Sequence, residues 1–137
     1  MEMRDSYIRD DPAFIAWQEG RAEEAAAAYQ GWAELMRKAT ARGVVVRRAR
    51  IVSEPVSDYI RFEYDVTEPV NLAGGEQVRR LPRHRASDLA LPGNDFWIFD
   101  GERGNFDHFT GDGASAGPEP IEAPRVVKVC ANAFEAA

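Results

Sequence analysis

The chain has 137 residues, a net charge of −6 and one cysteine, and 45% of its residues are hydrophobic. This length predicts a single domain over residues 1–137, with enough apolar surface for one core. The single Cys130 excludes a disulfide framework and a zinc site built from cysteines. The acidic charge argues against direct binding to nucleic acid or to an anionic membrane. No apolar run reaches the roughly 18 residues of a membrane span, and the polar N-terminus is unlike a signal peptide, so we expect a cytoplasmic protein.

The N-terminal part, residues 1–43, is predicted to be helical. Asp11 and Pro12 begin a short helix that ends at Gly20, because Asp is a favoured N-cap and Pro is favoured at the first helical position. Between residues 21 and 43 the apolar residues recur at three- and four-residue spacing. This spacing predicts one amphipathic helix that ends at Gly43.

Residues 44–110 are predicted to form the sheet, with β-branched or aromatic strands at 44–52, 76–81, 95–100 and 105–110. The stretch 57–66 fits two structures. Its alternating apolar residues are typical of a strand, whereas the helix-start residues Ser53 and Ser57 favour a helix that Pro69 limits. We predict the helix.

A loop rich in Gly, Ala and Pro is expected after residue 110, followed by a closing helix within 122–137. The fold class is therefore α+β (or α/β), a single sheet of about four strands flanked by N-terminal helices and a C-terminal helix.

Two blocks, SEPVSDYIRFE at 53–63 and LPGNDFWIFD at 91–100, carry a resemblance to a known family. With them the chain resembles an actinobacterial family of unknown function that is often encoded beside Xre-type helix-turn-helix regulators. Only two of the 17 basic residues are lysines, which is typical of a GC-rich genome. The resemblance implies no established reaction, but it does imply similarity to degenerate phospholipase D-like folds. Neither His84 nor His108 has the lysine two residues later that phospholipase D chemistry requires, so such a fold would be non-catalytic here.

Arginines in the strands at 44–52 and 76–81 are the first candidate binding residues. If these strands pair, Arg48, Arg50 and Arg80 form a basic face that could bind an anion or an acidic partner helix. The alternative is that they form salt bridges with acidic residues on the same surface.

A second candidate group follows the first predicted strand, where α/β folds commonly place ligand sites. It consists of Ser57, Tyr59, Arg61 and Glu63, although capping and local ion pairing explain these residues equally well. Trp97 belongs either to the core or to an aromatic recognition surface.

His108, Asp95 and Asp100 could form an acid/base or metal cluster. Side chains alternate along a strand, so Asp107 and His108 point to opposite faces, which weakens this interpretation. No nucleophile elbow, phosphate-binding loop or dinucleotide fingerprint is present. We therefore expect no metal and no cofactor.

These observations favour a non-enzymatic regulatory or accessory protein. It would bind a helix-turn-helix transcription regulator, or a small ligand, and modulate transcription without contacting DNA itself. The alternative is a small hydrolase or phosphoryl-handling enzyme that uses His108 and nearby aspartates.

Overall fold

The computed structural model describes residues 1–8 and 10–137, and within them the protein has an α+β fold, as predicted. The α-helices are α1 (Pro12–Gln18), α2 (Ala22–Ala27), α3 (Gln30–Thr40), α4 (Asp58–Val66) and α5 (Pro124–Ala136). The strands are β1 (Arg47–Val52), β2 (Gln77–Pro82), β3 (Asp95–Phe99), β4 (Arg103–Phe109) and β5 (Ser115–Ile121). Among the helices described, none has the length and apolar character needed to cross a membrane.

The strands form two sheets that the N-terminal segment, residues 1–8, connects. β1 and β2 pair in parallel, and β3, β4 and β5 form an antiparallel sheet. The amide of Glu2 donates to the carbonyl of Ala49 (2.9 Å), and the amide of Ile51 donates to the carbonyl of Glu2 (2.9 Å). On the other side, the amide of Phe96 donates to the carbonyl of Met1 (3.1 Å). The first residues thus bridge both sheets by backbone hydrogen bonds.

Two apolar clusters lie on opposite faces of these sheets. One cluster packs α5 against the strands, and its buried members include Met1, Ala49, Ile51, Phe96, Ile121, Val127 and Cys130. The other cluster holds α1 to α4 together, and it consists of Ala13, Ala16, Ala25, Ala33, Tyr59, Phe62, Val66 and Val70. This second cluster contains no strand residue, so α1 to α4 do not rest on the sheets through apolar packing alone.

The ambiguous stretch 57–66 is a helix, which confirms the prediction. The hydroxyl of Ser57 accepts a hydrogen bond from the amide of Ile60 (3.2 Å) and so caps the N-terminus of α4. The prediction that Pro69 limits this helix is wrong, because the helical path continues through Pro69. The chain continues as a π-helical turn, Thr67–Leu72, in which the amide of Ala73 donates to the carbonyl of Glu68 (3.1 Å). This wider turn tolerates the missing amide hydrogen of proline.

The predicted single helix over 21–43 is wrong, because α2 and α3 are separated at Tyr29. The Tyr29 hydroxyl donates to Asp11 (2.6 Å), and its ring lies 6.3 Å from that of Phe62. This anchoring competes with the local helical pattern. Residues 1–8 are not helical either, and the backbone of Met1 and Glu2 bonds to strands.

The sheet prediction also needs correction, since the described residues form two sheets of two and three strands rather than one sheet of about four. The missed strand is β5, which lies where the sequence predicts a loop. β5 contains Pro118 and Pro120, and strands are normally poor in proline. Because β5 is an edge strand, alternate residues direct their nitrogen away from β4, and proline is tolerated there.

Candidate functional site

A cavity of about 350 Å³ lies between the helices and one face of the strands. Its lining combines aromatic rings with ionisable side chains from distant parts of the chain. These residues are Glu2, Tyr7, Tyr29, Trp32, Arg48, Arg50, Tyr59, Phe62, Glu63, Val66, Val70, Asn71 and Trp97.

The alternation of side chains along β1 explains why arginines face this cavity. Ala49 and Ile51 point toward α5 and join the apolar cluster there, so Arg48 and Arg50 point to the opposite face. The helices cover that face, and the two arginine side chains are only 11% and 7% exposed. Two positive charges are therefore held between the strands and the helices.

Glu2 supplies the negative charge that lies closest to both arginines. Nε of Arg50 donates to one carboxylate oxygen of Glu2 (2.5 Å), and Nη1 of Arg48 donates to the other. Burial alone would raise the pKa of Glu2, but the two guanidiniums outweigh it and hold that pKa below its ordinary value. Glu2 is thus ionised, and each of its carboxylate oxygens accepts a hydrogen bond from one arginine.

Glu76 is a second engaged carboxylate, and its side chain has no exposed surface. It accepts hydrogen bonds from Nε of Arg48 (2.8 Å), Nε1 of Trp32 (2.5 Å) and Nδ2 of Asn71 (2.8 Å). The Arg48 guanidinium also lies 5.6 Å from the ring of Trp32 and 5.3 Å from that of Trp97. Two carboxylates and two indoles therefore fix the position of Arg48.

Arg50 is connected to the end of α4 through Thr67. Its Nη1 donates to the Thr67 hydroxyl (2.7 Å), which in turn donates to the backbone carbonyl of Glu63 (2.5 Å). Nη2 of Arg80 donates to the same hydroxyl oxygen (2.8 Å). These bonds fix the backbone of α4 beside the cavity.

The carboxyl group of Glu63 is not engaged in the same way. Its closest cationic partner is Nε of Arg50, at 3.8 Å, and it accepts no hydrogen bond from any residue in 1–8 or 10–137. The side chain is 12% exposed. Burial, with the nearby charge of Glu2 as the second cause, raises the pKa of Glu63 to about 8. Glu63 is therefore mostly protonated at neutral pH.

One more acid lies beside the cavity, but it is hydrogen-bonded. Asp95 accepts a hydrogen bond from the Tyr7 hydroxyl (2.5 Å) and another from the amide of Met3 (2.8 Å). Burial raises the pKa of Asp95, although both hydrogen bonds oppose that shift.

Five of the eight predicted binding residues line this one cavity, namely Arg48, Arg50, Tyr59, Glu63 and Trp97. The other three do not line it. The guanidinium of Arg80 lies 4.7 Å from the ring centroid of Tyr64, and it is connected to Arg50 through the hydroxyl of Thr67. Ser57 caps α4, and the exposed Arg61 lies 3.6 Å from Asp58.

The arginines of the predicted basic face lie on paired strands, but Arg48 and Arg50 are buried and do not form a solvent-exposed surface. β1 and β2 pair in parallel, with Arg50 opposite Arg80. The carboxylates of Glu2 and Glu76 neutralise Arg48, and Glu2 also neutralises Arg50. The alternative interpretation, salt bridges on this face, agrees with the structure, although these pairs are buried.

The residues of the alternative catalytic cluster, His108, Asp95 and Asp100, do not lie together in one site. His108 lies 2.8 Å from a carboxylate oxygen of Glu119, on the face of β4 that alternation places opposite to Asp95. Asp100 lies in the turn after β3, with a φ of 54°. Among the described residues, no group of three or more histidines, cysteines, aspartates or glutamates could hold a metal ion.

Four residues of the site were not predicted from the sequence: Glu2, Tyr7, Trp32 and Glu76. Trp32 belongs to the apolar stripe of the predicted helix, and this was the only signal that it faces inward. Glu2 has no local signal, because its place depends on the N-terminal segment lying between two strands.

A family described as a domain of unknown function (DUF6879) matches residues 1–137. No curated protein and no solved structure matches the chain. The phospholipase D-like fold therefore stays a prediction.

The raised pKa of Glu63 makes stability depend on pH. The carboxyl titrates near 4.5 in the unfolded chain and near 8 in the folded protein. Between these pH values the folded protein holds the proton and the unfolded chain does not. The stabilisation that protonated Glu63 adds to the free energy of unfolding is therefore fully present below pH 4.5 and is lost as the pH rises through 8. We expect the free energy of unfolding of Glu63→Gln, relative to the unmodified protein, to rise by roughly 2–4 kcal/mol across this interval.

Urea unfolding at several pH values measures this difference. Glu68→Gln is the matched control for the chemical change itself, because it makes the same substitution at an exposed position on the next turn of the chain. Parallel pH profiles for Glu63→Gln and the unmodified protein would contradict the assignment.

Proposed function

The chain belongs to the family described as a domain of unknown function (DUF6879), and we propose that it is a non-enzymatic regulatory or accessory protein with a ligand-binding cavity. It binds a small organic molecule between the helices and the strands. Through that ligand it modulates a helix-turn-helix transcription regulator.

The observation that carries this proposal is the charged layer around the cavity. Both sides of the layer have apolar clusters available, yet two arginines and several carboxyl groups surround an open space of about 350 Å³. Replacing a buried ion cluster by apolar residues often leaves the stability of a protein unchanged or raises it. The atoms that line a void lack packing contacts on one side, which also lowers stability. A layer that lowers stability in this way is typical of a binding site.

The lining defines what kind of molecule fits. A volume of about 350 Å³ lies in the usual range for small-molecule sites. Tyr29, Trp32 and Phe62 present aromatic surface to the cavity, which suits a flat apolar body. Fixed polar groups beside them can orient the ligand. Stacking surface and fixed polar groups are sufficient for binding, so we propose no chemical step.

The partner is proposed from the sequence resemblance to a family encoded beside Xre-type regulators. A net charge of −6 disfavours contact with DNA, so an effect on transcription would pass through another protein. A regulator of this kind acts in the cytoplasm. The arginine-rich composition favours an actinobacterial source.

Filling the cavity tests the ligand site. Val66 is buried and lines the cavity, so Val66→Phe should place a ring in the space a ligand needs. A fragment screen by two-dimensional NMR would identify binders from shifts of the indole N–H signals of Trp32 and Trp97. We expect Val66→Phe to weaken those binders at least tenfold, which corresponds to about 1.4 kcal/mol.

Val129→Phe provides the matched control, because Val129 is an exposed residue of α5 and does not line the cavity. This variant should bind the same fragments as the unmodified protein. If no fragment shifts the two indole signals, the proposed cavity function is wrong.

The partner is tested separately by mixing the purified protein with the Xre-type regulator encoded nearest to its gene. Analytical ultracentrifugation should show a complex whose Kd changes when a cavity fragment is present, because linkage makes the two affinities interdependent. If no complex forms at micromolar concentrations, the accessory role is wrong, whereas the cavity result stands.

A further inference from the structure

The ionisable groups around the cavity differ in how they are bonded. The acids Glu2 and Glu63 line it together with the guanidiniums of Arg48 and Arg50, and the acids Glu76 and Asp95 lie beside it. Both guanidiniums already bond carboxylates.

Three of these four acids accept hydrogen bonds. Glu2 is bonded by both arginines, Glu76 accepts three hydrogen bonds, and Asp95 accepts two. Glu63 alone accepts none from the described residues, and its closest cation, Nε of Arg50, is beyond hydrogen-bond distance at 3.8 Å. Glu63 is thus a carboxyl group in the cavity lining that is held by one long ion pair and by no hydrogen bond from the described residues.

Aromatic rings line the same cavity as this carboxyl group. Tyr59 and Phe62 belong to α4, as Glu63 does, and their ring centroids lie 5.5 Å apart, while the ring of Tyr29 lies 6.3 Å from that of Phe62. An ammonium group is attracted by the faces of aromatic rings and by a carboxylate. A carboxyl group beside several rings is therefore a chemical environment suited to an organic cation.

We propose that the ligand of the cavity is a small organic amine with an aromatic body, whose ammonium group pairs with the carboxylate of Glu63. This inference rests on the proposed function, because it names the ligand class of the same cavity. The Glu63 carboxyl gives up its proton to solvent as the ammonium arrives. One cation thereby replaces another, and no covalent bond to the ligand forms or breaks.

The groups that face Glu63 support this exchange. Glu2 and Asp95 raise the pKa of Glu63, whereas Arg50 and Arg48 lower it, and burial is the largest cause of the net rise. Tyr7 and Tyr59 lie on the same cavity as neutral neighbours, because burial raises the pKa of both hydroxyls above the ordinary value. The site therefore holds a proton that a ligand cation can displace.

Three probes with the same ring test the charge preference: phenethylamine, phenylacetamide and phenylacetate are cationic, neutral and anionic at pH 7. Isothermal titration calorimetry should give phenethylamine a Kd at least about tenfold lower than that of phenylacetamide, with phenylacetate weakest. Because Glu63 is mostly protonated at this pH, repeating the titration in buffers of different ionisation enthalpy should show release of close to one proton per bound amine.

Glu63→Gln should lose about tenfold in affinity for phenethylamine, keep its affinity for phenylacetamide and release no proton. Glu68→Gln, the same substitution at an exposed position, should behave as the unmodified protein does. The proton count uses the unmodified protein, so the inference stays testable even if Glu63→Gln does not fold.

Two results overturn the inference while leaving the proposed function intact. One is a phenylacetate or phenylacetamide affinity equal to that of phenethylamine. The other is the absence of binding by all three probes although other fragments shift the indole signals of Trp32 and Trp97. If no fragment of any charge binds in the cavity, the proposed function and this inference both fail.

Discussion

The carboxylate of Glu2, held between Arg48 and Arg50, is the interaction on which the rest of this structure depends. The backbone of Glu2 bonds to β1 while its neighbour Met1 bonds to β3, so this residue lies where the two sheets are joined. Its side chain neutralises two arginines that the alternation of β1 directs into the interior. Without that charge, the buried Arg48 would keep only Glu76 as a direct counter-ion, and the buried Arg50 would keep only the carboxyl group of Glu63 at 3.8 Å. Proteins tolerate such poorly paired buried charges badly.

The same arginines connect the strands to the helices. Arg48 reaches Glu76, just before β2, and Arg50 reaches Thr67 at the end of α4. The helices are therefore fixed over the strands by hydrogen-bonded charges instead of by continuous apolar packing. This arrangement leaves an open space beside Glu63. We propose that ligand binding uses Glu63, the acid of the charged layer that accepts no hydrogen bond from the described residues.

Local patterns predicted the elements that local interactions decide. Ser57 predicted the start of α4, and the α+β class followed from the order of helical and strand patterns. Arg48 was a candidate because pairing of two arginine-bearing strands would form a basic face, and Glu63 because α/β folds commonly place ligand sites just after a strand. The role of Glu2 could not be predicted, because it lies 48 residues from Arg50 in sequence. The two prolines of β5 concealed a strand whose pairing depends on its position at the sheet edge.

If Glu63 serves a ligand, its carboxyl group lowers the stability of the empty protein. Urea unfolding of Glu63→Leu at pH 8.5 measures this cost, because at that pH the folded protein holds a mostly ionised carboxylate that accepts no hydrogen bond from the described residues. We expect the leucine variant to be more stable than the unmodified protein, by roughly 1–3 kcal/mol. A variant less stable than the unmodified protein would show that the fold itself needs Glu63, and Glu63 would then not be kept for a ligand.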